Sequence, residues 1–195
     1  MIIGITGGSG CGKTTLLELI HQQGGVIADC DAIYHRLLQT DPALLAAIDA
    51  RFPGTVEHGV LDRKKLGQVV FSDEEALQEL NRITHSAVRQ EVLRLLSGES
   101  RLAAIDAIGL FEGNLAELCD VTVAVTAPEE SRVARLMARD GITEEYARKR
   151  IAAQHGSSWF RERCDHTLDN PGDFDAFRRK CLVFLASLGI MKENQ

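Results

Sequence analysis

The sequence lacks an excess of positive charge, paired cysteine motifs and long apolar runs. Its 195 residues carry 22 Lys or Arg against 28 Asp or Glu, and the net charge of −6 argues against a nucleic-acid binder that relies on a basic surface. The five cysteines are an odd number without C-x-x-C spacing, and the cysteines and six histidines show no zinc-ligand spacing. We therefore expect a reduced, cytoplasmic protein with free thiols.

Membrane and secretion signals are also missing from the pattern. No apolar run reaches the roughly 18–20 residues that span a bilayer. We expect no secretory signal, because the N-terminus already has the pattern of a core strand. Length and composition predict one soluble globular domain with small insertions, whose partners are small molecules rather than nucleic acid or membrane. The oligomeric state stays open.

The most informative feature present is a phosphate-binding loop at residues 7–14. The segment fits G-x-x-x-x-G-K-[ST] and lies between an apolar run at 2–6 and a helical pattern from Thr15 to Gln23. Backbone N–H groups of such a loop and the N-terminus of the following helix attract phosphate oxygens, Lys13 follows the β- and γ-phosphates, and the Thr14 hydroxyl binds Mg²⁺. The predicted phosphate ligands are Gly8, Gly10, Cys11, Gly12, Lys13, Thr14 and Thr15. One hypothesis is that oxidation of Cys11 blocks nucleotide binding. The alternative is that Cys11 is only a small residue that the loop tolerates.

Short apolar runs separated by helical patterns predict an α/β fold with a five-stranded parallel sheet flanked by helices. The predicted strands are 2–6, 26–29, 102–108, 121–126 and 166–170. Helix starts are indicated by Asp41 before Pro42, a capping box from Ser72 to Glu75, Thr143, and Asp173.

The spacing of these elements predicts three regions. A nucleotide-binding core comprises 1–31, 102–138 and 164–195. Residues 32–101 are too long for one crossover helix and form a helical, substrate-binding insertion. Residues 139–163 are rich in Arg and Lys, which favours a mobile cationic lid over phosphates, with a solvated helix face as the alternative.

Three carboxylates lie at or near the C-terminal ends of predicted strands, where ligands bind in open α/β sheets. Asp29 and Asp31 end the second strand, and their side chains point the same way if that strand continues. Either can accept the proton of an attacking hydroxyl, unless both are ordinary turn residues. Asp106, at the third strand, can hold a water of the Mg²⁺ shell.

Taken in order, the motifs resemble the dephospho-coenzyme A kinase family over nearly the whole chain. The matching stretches are the loop at 7–15, Asp29-Cys30-Asp31-Ala32-Ile33, Leu61-Asp62-Arg63 with Leu66 and Phe71, Ile83-Thr84-His85 with Val88, 106–112, the lid residues Arg135, Arg139-Asp140-Gly141, Arg150-Ile151 and Gln154, and Asp169-Asn170-Pro171-Gly172.

The resemblance implies a P-loop kinase fold and ATP-dependent phosphorylation of the ribose 3′-hydroxyl of dephospho-coenzyme A, the last step of coenzyme A biosynthesis. It implies that Asp31 is the base or orients the attacking hydroxyl, that Arg135 and Arg139 neutralise charge on the transferring group, and that Thr14 and Asp106 organise Mg²⁺. The acceptor contacts implied are Asp31, His35, Asp62, Arg63, His85 and Glu112.

The chain departs from the family pattern on the acceptor side. His35 replaces the usual Arg, with Arg36 one place on, Ser86 replaces the Pro after His85, and Ile108-Gly109 replaces Pro-Leu. Two alternatives therefore accompany the kinase prediction: a kinase for another nucleoside-like or nucleotide small molecule, and a non-catalytic nucleotide-binding paralogue.

Overall fold

A five-stranded parallel sheet is the main element of the computed structural model, which describes residues 1–98 and 101–190. The strands in chain order are β1 (Ile2–Thr6), β2 (Val26–Asp29), the short hairpin strands β3 (Val56–Glu57) and β4 (Val60–Leu61), β5 (Ala103–Asp106), β6 (Val121–Thr126) and β7 (His166–Asp169). The sheet order is β2-β5-β1-β6-β7, which makes β1 the central strand.

The predicted fold class is confirmed, and four of the five strands end where or nearly where the apolar runs end. The strand predicted at 102–108 is shorter, because the chain turns away after Asp106 and a loop runs through Leu110. The strand predicted at 166–170 ends at Asp169. The two-residue strands β3 and β4, antiparallel to each other, were not predicted.

Nine α-helices connect the strands within the described residues. They are α1 (Lys13–Gln22), α2 (Cys30–Thr40), α3 (Pro42–Arg51), α4 (Arg63–Val70), α5 (Glu74–Leu96), α6 (Glu129–Asp140), α7 (Glu144–Ala152), α8 (Ser157–Arg163) and α9 (Phe174–Ser187). Asp41, Thr143 and Asp173 cap the helices that they were predicted to begin, each by accepting a bond from a first-turn N–H.

The capping box predicted from Ser72 to Glu75 is wrong by one residue. The Asp73 carboxylate caps α5 by accepting from the N–H groups of Glu75 and Ala76. The Ser72 hydroxyl instead donates to carbonyls of the preceding helix, at Gln68 and Val69. The cap of α5 is therefore the Asp73 carboxylate and not the Ser72 hydroxyl. Its negative charge is also attracted to the positive end of the helix dipole.

The chain divides into two compact units, Met1–Ala28 with Glu99–Gln195, and Asp29–Gly98. The first contains the sheet, whose core includes Ile3, Ile5 and Val123 packed with apolar residues of α1 and α9. In the second, α2, α3 and α4 each pack against the long helix α5. Residues 99–100 of the predicted insertion and 191–195 of the predicted core lie outside the described residues.

Across residues 1–98 and 101–190, none of the helices combines the length and the apolar character that crossing a membrane requires.

Candidate active site

The loop between β1 and α1 forms the centre of the candidate site. Helix α1 begins at Lys13, two residues earlier than predicted, so Lys13 and Thr14 lie in its first turn. The N–H groups of a first turn have no partner within their own helix and carry the positive end of its dipole. Gly12, the residue before the helix, has φ 98° and ψ 28°, a left-handed conformation that favours glycine.

Three consecutive loop carbonyls accept hydrogen bonds from side chains outside the loop. The Ser9 carbonyl accepts from Arg132 Nε at 2.9 Å, the Gly10 carbonyl from Arg135 Nη1 at 3.0 Å, and the Cys11 carbonyl from Asn170 Nδ2 at 2.9 Å. The C=O and the following N–H of a trans peptide point in opposite directions. Anchoring these carbonyls therefore turns the Gly10 N–H away from Arg132 and the Gly12 N–H away from Asn170, in the orientation that an anion-binding loop needs.

The anchoring side chains lie so close to the loop that two of its glycines have no room for a side chain. A Cβ on Gly8 would lie 2.2 Å from Arg132 Nη2, and one on Gly12 would lie 2.4 Å from Asn170 Nδ2. Both distances are far inside van der Waals contact. Of the two fixed glycines of the motif, Gly12 is thus explained by packing and by its left-handed backbone. The other, Gly7, has φ 134°, and a Cβ there would lie 2.1 Å from the Val125 carbonyl oxygen.

Asn170 and Arg135 support each other. Asn170 is 5% exposed, and its Oδ1 accepts from Arg135 Nη2 at 3.1 Å and from the Gly172 N–H at 3.1 Å. Its backbone N–H donates to the Thr126 carbonyl at the end of β6. The chain segment after β7 is thereby joined to both α6 and the loop.

Lys13 and Asp106 form a half-buried charged pair. Lys13 Nζ lies 3.7 Å from Asp106 Oδ1 and donates to the Gly7 carbonyl at 3.2 Å. Asp106 ends β5 beside Ile5 of β1, which brings it to the loop that follows β1. The Thr14 hydroxyl and the Asp106 carboxylate are hard oxygen donors, and this chemistry fits Mg²⁺.

The Cys11 side chain is buried, in contrast to its place in a loop predicted to bind phosphate. Its exposed fraction is 1%, and it belongs to the core cluster of the sheet. Burial raises the pKa of the thiol, against the opposing effect of the nearby Lys13 and Arg132 charges. Because the thiolate is the oxidation-prone form, the structure favours the tolerated small residue over a redox-sensitive one.

Five of the six Arg and Lys side chains in the region predicted as a cationic lid form ion pairs. Arg139 Nε bonds Asp140 at 2.7 Å, Arg150 bonds the same carboxylate at 2.8 Å, and the hydrogen bond from Arg139 lowers the pKa of Asp140. Arg148 contacts three glutamates, and Lys149 contacts Glu145. The apolar faces of α6 and α7 pack together through Val133, Leu136, Ala147 and Ile151.

Glu112, predicted to bind the acceptor, contacts His155. Its Oε1 lies 3.0 Å from His155 Nε2, and the His155 ring stacks on Trp159 with centroids 3.9 Å apart. The loop after β5 is therefore tied to the segment before α8.

The remaining predicted site residues lie in the unit Asp29–Gly98. Asp29 and Asp31 were expected to point the same way if the second strand continued, but that strand does not continue: β2 ends at Asp29 and α2 begins at Cys30. Asp29 caps α2, and Asp31 lies exposed in its first turn. The backbone turns there because the Asp29 carboxylate satisfies the N–H of Ala32.

The other residues expected at the acceptor have local roles or exposed positions. Asp62 caps α4 by accepting from the N–H groups of Lys64 and Lys65, each at 3.0 Å. Arg63 is exposed in the same helix, and its charge opposes the burial that raises the pKa of Tyr34. His35 is exposed with its ring 5.5 Å from that of Tyr34, and His85 lies half-buried on α5.

Sequence reasoning missed Arg132, and it matched Gln154 to the lid and Asn170 to a family motif without predicting that either contacts the phosphate-binding loop. Arg132 is 6% exposed and contacts the loop 123 residues earlier in the chain. A signal was present, since Arg132, Arg135 and Arg139 recur at three- and four-residue spacing and so share one face of α6.

Comparison of this chain with known proteins identifies its family. The dephospho-CoA kinase (CoaE) family model matches residues 1–175. The dephospho-CoA kinase of Latilactobacillus sakei subsp. sakei strain 23K is 35% identical over 188 residues, which cover 94% of this chain and 93% of that protein.

Two solved structures extend the similarity to three dimensions. TT1252 from Thermus thermophilus superposes with a TM-score of 0.79 at 35% identity, covering 96% of this chain and 97% of that one. The dephospho-CoA kinase from Campylobacter jejuni has a TM-score of 0.67 at 26% identity, covering 97% and 98%.

Proposed function

This chain belongs to the dephospho-CoA kinase family, and we propose that it transfers the γ-phosphoryl group of ATP to the ribose 3′-hydroxyl of dephospho-CoA, giving coenzyme A and ADP. The observation that carries the proposal is the family match over residues 1–175. The anchored loop carbonyls of Ser9, Gly10 and Cys11 support the ATP side.

On the nucleotide side, the loop amides and Lys13 bind the β- and γ-phosphates. Thr14 and Asp106 would hold Mg²⁺, which would supply positive charge beside the phosphates. Lys13, 3.7 Å from Asp106, places its ammonium group on the same phosphates. Arg135, bonded to the Gly10 carbonyl, keeps the loop in shape, and Arg139 neutralises charge on the transferring group.

On the acceptor side, Asp31 accepts the proton of the 3′-hydroxyl as that oxygen attacks the γ-phosphorus. Its exposed position in the first turn of α2 leaves the carboxylate accessible to a ligand. Asp29 is occupied in capping the helix, so Asp31 is the better base of the two. His35, Asp62, Arg63, His85 and Glu112 contact the acceptor. The free thiols, three of them buried, are compatible with a reducing cytoplasm.

The test is ADP release, measured with a panel of acceptors. We expect kcat/KM for dephospho-CoA to exceed that for adenosine or uridine by about 100-fold or more, because the pantetheine arm adds remote binding that orients the 3′-hydroxyl. Mass spectrometry of the product identifies the phosphorylated position.

Two outcomes would favour the alternatives. Rapid transfer to adenosine or uridine with none to dephospho-CoA would indicate a different small-molecule kinase. Tight ATP binding without transfer to any acceptor would indicate a non-catalytic paralogue. The variant His35→Arg tests the acceptor side further: it lowers KM for dephospho-CoA if Arg36 has not taken over the family residue's role.

A further inference from the structure

Every polar group of Ser9 is bonded to one of two side chains. Its N–H donates to Gln154 Oε1 at 2.8 Å, its hydroxyl accepts from Gln154 Nε2 at 2.8 Å, and its carbonyl accepts from Arg132 Nε at 2.9 Å. Arg132 Nη2 also donates to Gln154 Oε1, at 3.3 Å. The three residues form a closed network, and Ser9 is only 6% exposed.

The orientation of the Gln154 carboxamide follows from this network. Oε1 faces two donors, the Ser9 N–H and the Arg132 guanidinium, so the reversed amide would point its NH₂ group at both of them. The network therefore requires an acceptor at Oε1. A carboxylate satisfies the same positions, because the Ser9 hydroxyl can rotate and donate to it.

Gln154 also joins two parts of the chain. It follows α7, which packs against α6 through Val133, Leu136, Ala147 and Ile151. Its carboxamide bonds Ser9, 145 residues away in sequence. The segment 139–163 is thus bonded to the phosphate-binding loop at a point just after the end of α7.

We propose that Gln154 is a positioning residue for phosphoryl transfer, which fixes the Ser9 peptide and the Arg132 guanidinium so that the loop amides and the 139–163 segment meet the phosphates in one geometry. The proposal rests on the proposed kinase activity but not on the identity of the acceptor.

The physical reason is that the Ser9 peptide controls its neighbour. The Ser9 carbonyl and the Gly10 N–H belong to the same planar unit, so a rotation of one displaces the other. Without Gln154, the Ser9 N–H loses its acceptor, and the Arg132 guanidinium keeps only the Ser9 carbonyl. The peptide before Ser9 and the Arg132 side chain that holds the Ser9 carbonyl are then both less constrained, so the Ser9–Gly10 peptide can rotate. Transfer is sensitive to such small displacements, whereas ground-state binding of ATP is spread over many contacts.

The test compares Gln154→Leu with Gln154→Glu. For Gln154→Leu we expect kcat to fall about 10- to 100-fold, while the Kd for ATP, measured calorimetrically without acceptor, changes less than about threefold. Gln154→Glu keeps an acceptor at Oε1, and we expect it to recover most of the kcat. The melting temperature of each variant should differ from that of the wild type by no more than roughly 8 °C, so that both variants are folded in the assay.

Two further variants separate the contacts. Ser9→Ala removes only the bond from Nε2, and we expect a kcat loss of about threefold or less. Gln22→Leu makes the same chemical change at an exposed position on α1 and should leave kcat unchanged.

The decisive quantity is the difference between the loss in kcat and the loss in ATP affinity. If Gln154→Leu lowers kcat less than about tenfold, if it raises the Kd for ATP by as large a factor as it lowers kcat, or if Gln154→Glu is as impaired as Gln154→Leu, the proposal is wrong. The assay uses whichever acceptor the wild type phosphorylates, so an error in the acceptor does not affect it. Failure of the wild type to bind ATP would instead count against the proposed function.

Discussion

The carboxylate of Asp29 accepts a hydrogen bond from the backbone N–H of Ala32 at 2.9 Å and thereby caps helix α2. Asp31, two residues on, lies exposed in the first turn of that helix. The two acidic residues of one motif thus have different surroundings, and matched substitutions separate their roles.

We expect Asp31→Asn to lower kcat by about 10²- to 10⁴-fold, because the amide keeps the size of the side chain but accepts no proton. Asp29→Asn should be mild, since Asn is also a good helix cap. Steady-state kinetics with calorimetric ATP binding checks both. If Asp29→Asn is the crippling change, the roles of the two residues are reversed.

Lys13→Ala is expected to lower turnover by about 100-fold or more, because the ammonium group compensates charge on the transferring phosphoryl group. Lys149→Ala is the matched control, since Lys149 is 72% exposed in a surface ion pair. Circular dichroism melting should show that both variants are folded. Wild-type turnover in a folded Lys13→Ala variant would refute the role of the loop in catalysis.

Arg135 and Arg139 lie one helical turn apart on α6, but we expect their substitution by alanine to affect different kinetic quantities. Arg135 bonds the Gly10 and Cys11 carbonyls, so Arg135→Ala should raise the Kd for ATP by about tenfold. Arg139 bonds only Asp140 among the contacts described, and Arg139→Ala should lower kcat with a smaller effect on ATP binding. Equal effects of the two substitutions on ATP affinity would contradict this division.

Thiol reagents should act slowly on the folded protein. Burial raises the pKa of Cys119 to about 12, of Cys181 to about 12 and of Cys164 to about 11, which suppresses the reactive thiolate at neutral pH. We expect iodoacetamide at pH 7.5 to alkylate Cys164 about 100-fold more slowly than glutathione. Peptide mass spectrometry measures this, with urea-unfolded protein as the control in which all five cysteines react.

Glu91 should contribute stability that disappears in acid. Hydrogen bonds from Arg94 and Arg36 lower the pKa of its carboxyl to about 2. A carboxyl with a pKa lowered by folding stabilises the protein above its unfolded pKa of about 4.3, and this stabilisation is lost as the pH falls toward 2.

Glu91→Gln is therefore expected to be less stable than the wild type at pH 7, with a difference that shrinks between about pH 4 and pH 2. Denaturant titrations at several pH values measure it. A difference that stays constant over this range would show that the ion pairs do not set the pKa of Glu91.

Much of the fold was predictable because its signals are local. The apolar runs of β1 and β6 are buried along nearly their whole length, so composition alone marks them. The Asp41-Pro42 cap and the loop at 7–14 are likewise defined by neighbouring residues. The hairpin of β3 and β4 was missed because two-residue strands leave no periodicity to detect.

The network around Ser9 was beyond sequence reasoning for a different reason. Arg132 and Gln154 reach Ser9 from positions 123 and 145 residues later in the chain. An arginine on a helix is ordinarily solvated, and only the packing of α6 beside the loop gives Arg132 a buried carbonyl to bind.

The central place of β1 has a consequence for synthesis on the ribosome. Ile2 pairs with Ala103 on one side and Ile3 with Val121 on the other. At about 5–20 residues per second, roughly 6–24 s separate translation of the first strand from that of the second partner strand. The unit Asp29–Gly98 leaves the ribosome before Ala103 does, and it has its own helical contacts. A nascent chain exposed only as far as residue 98 therefore carries a helical unit that can fold, together with an apolar first strand whose partner strands have not yet emerged, and we expect chaperones to bind that strand.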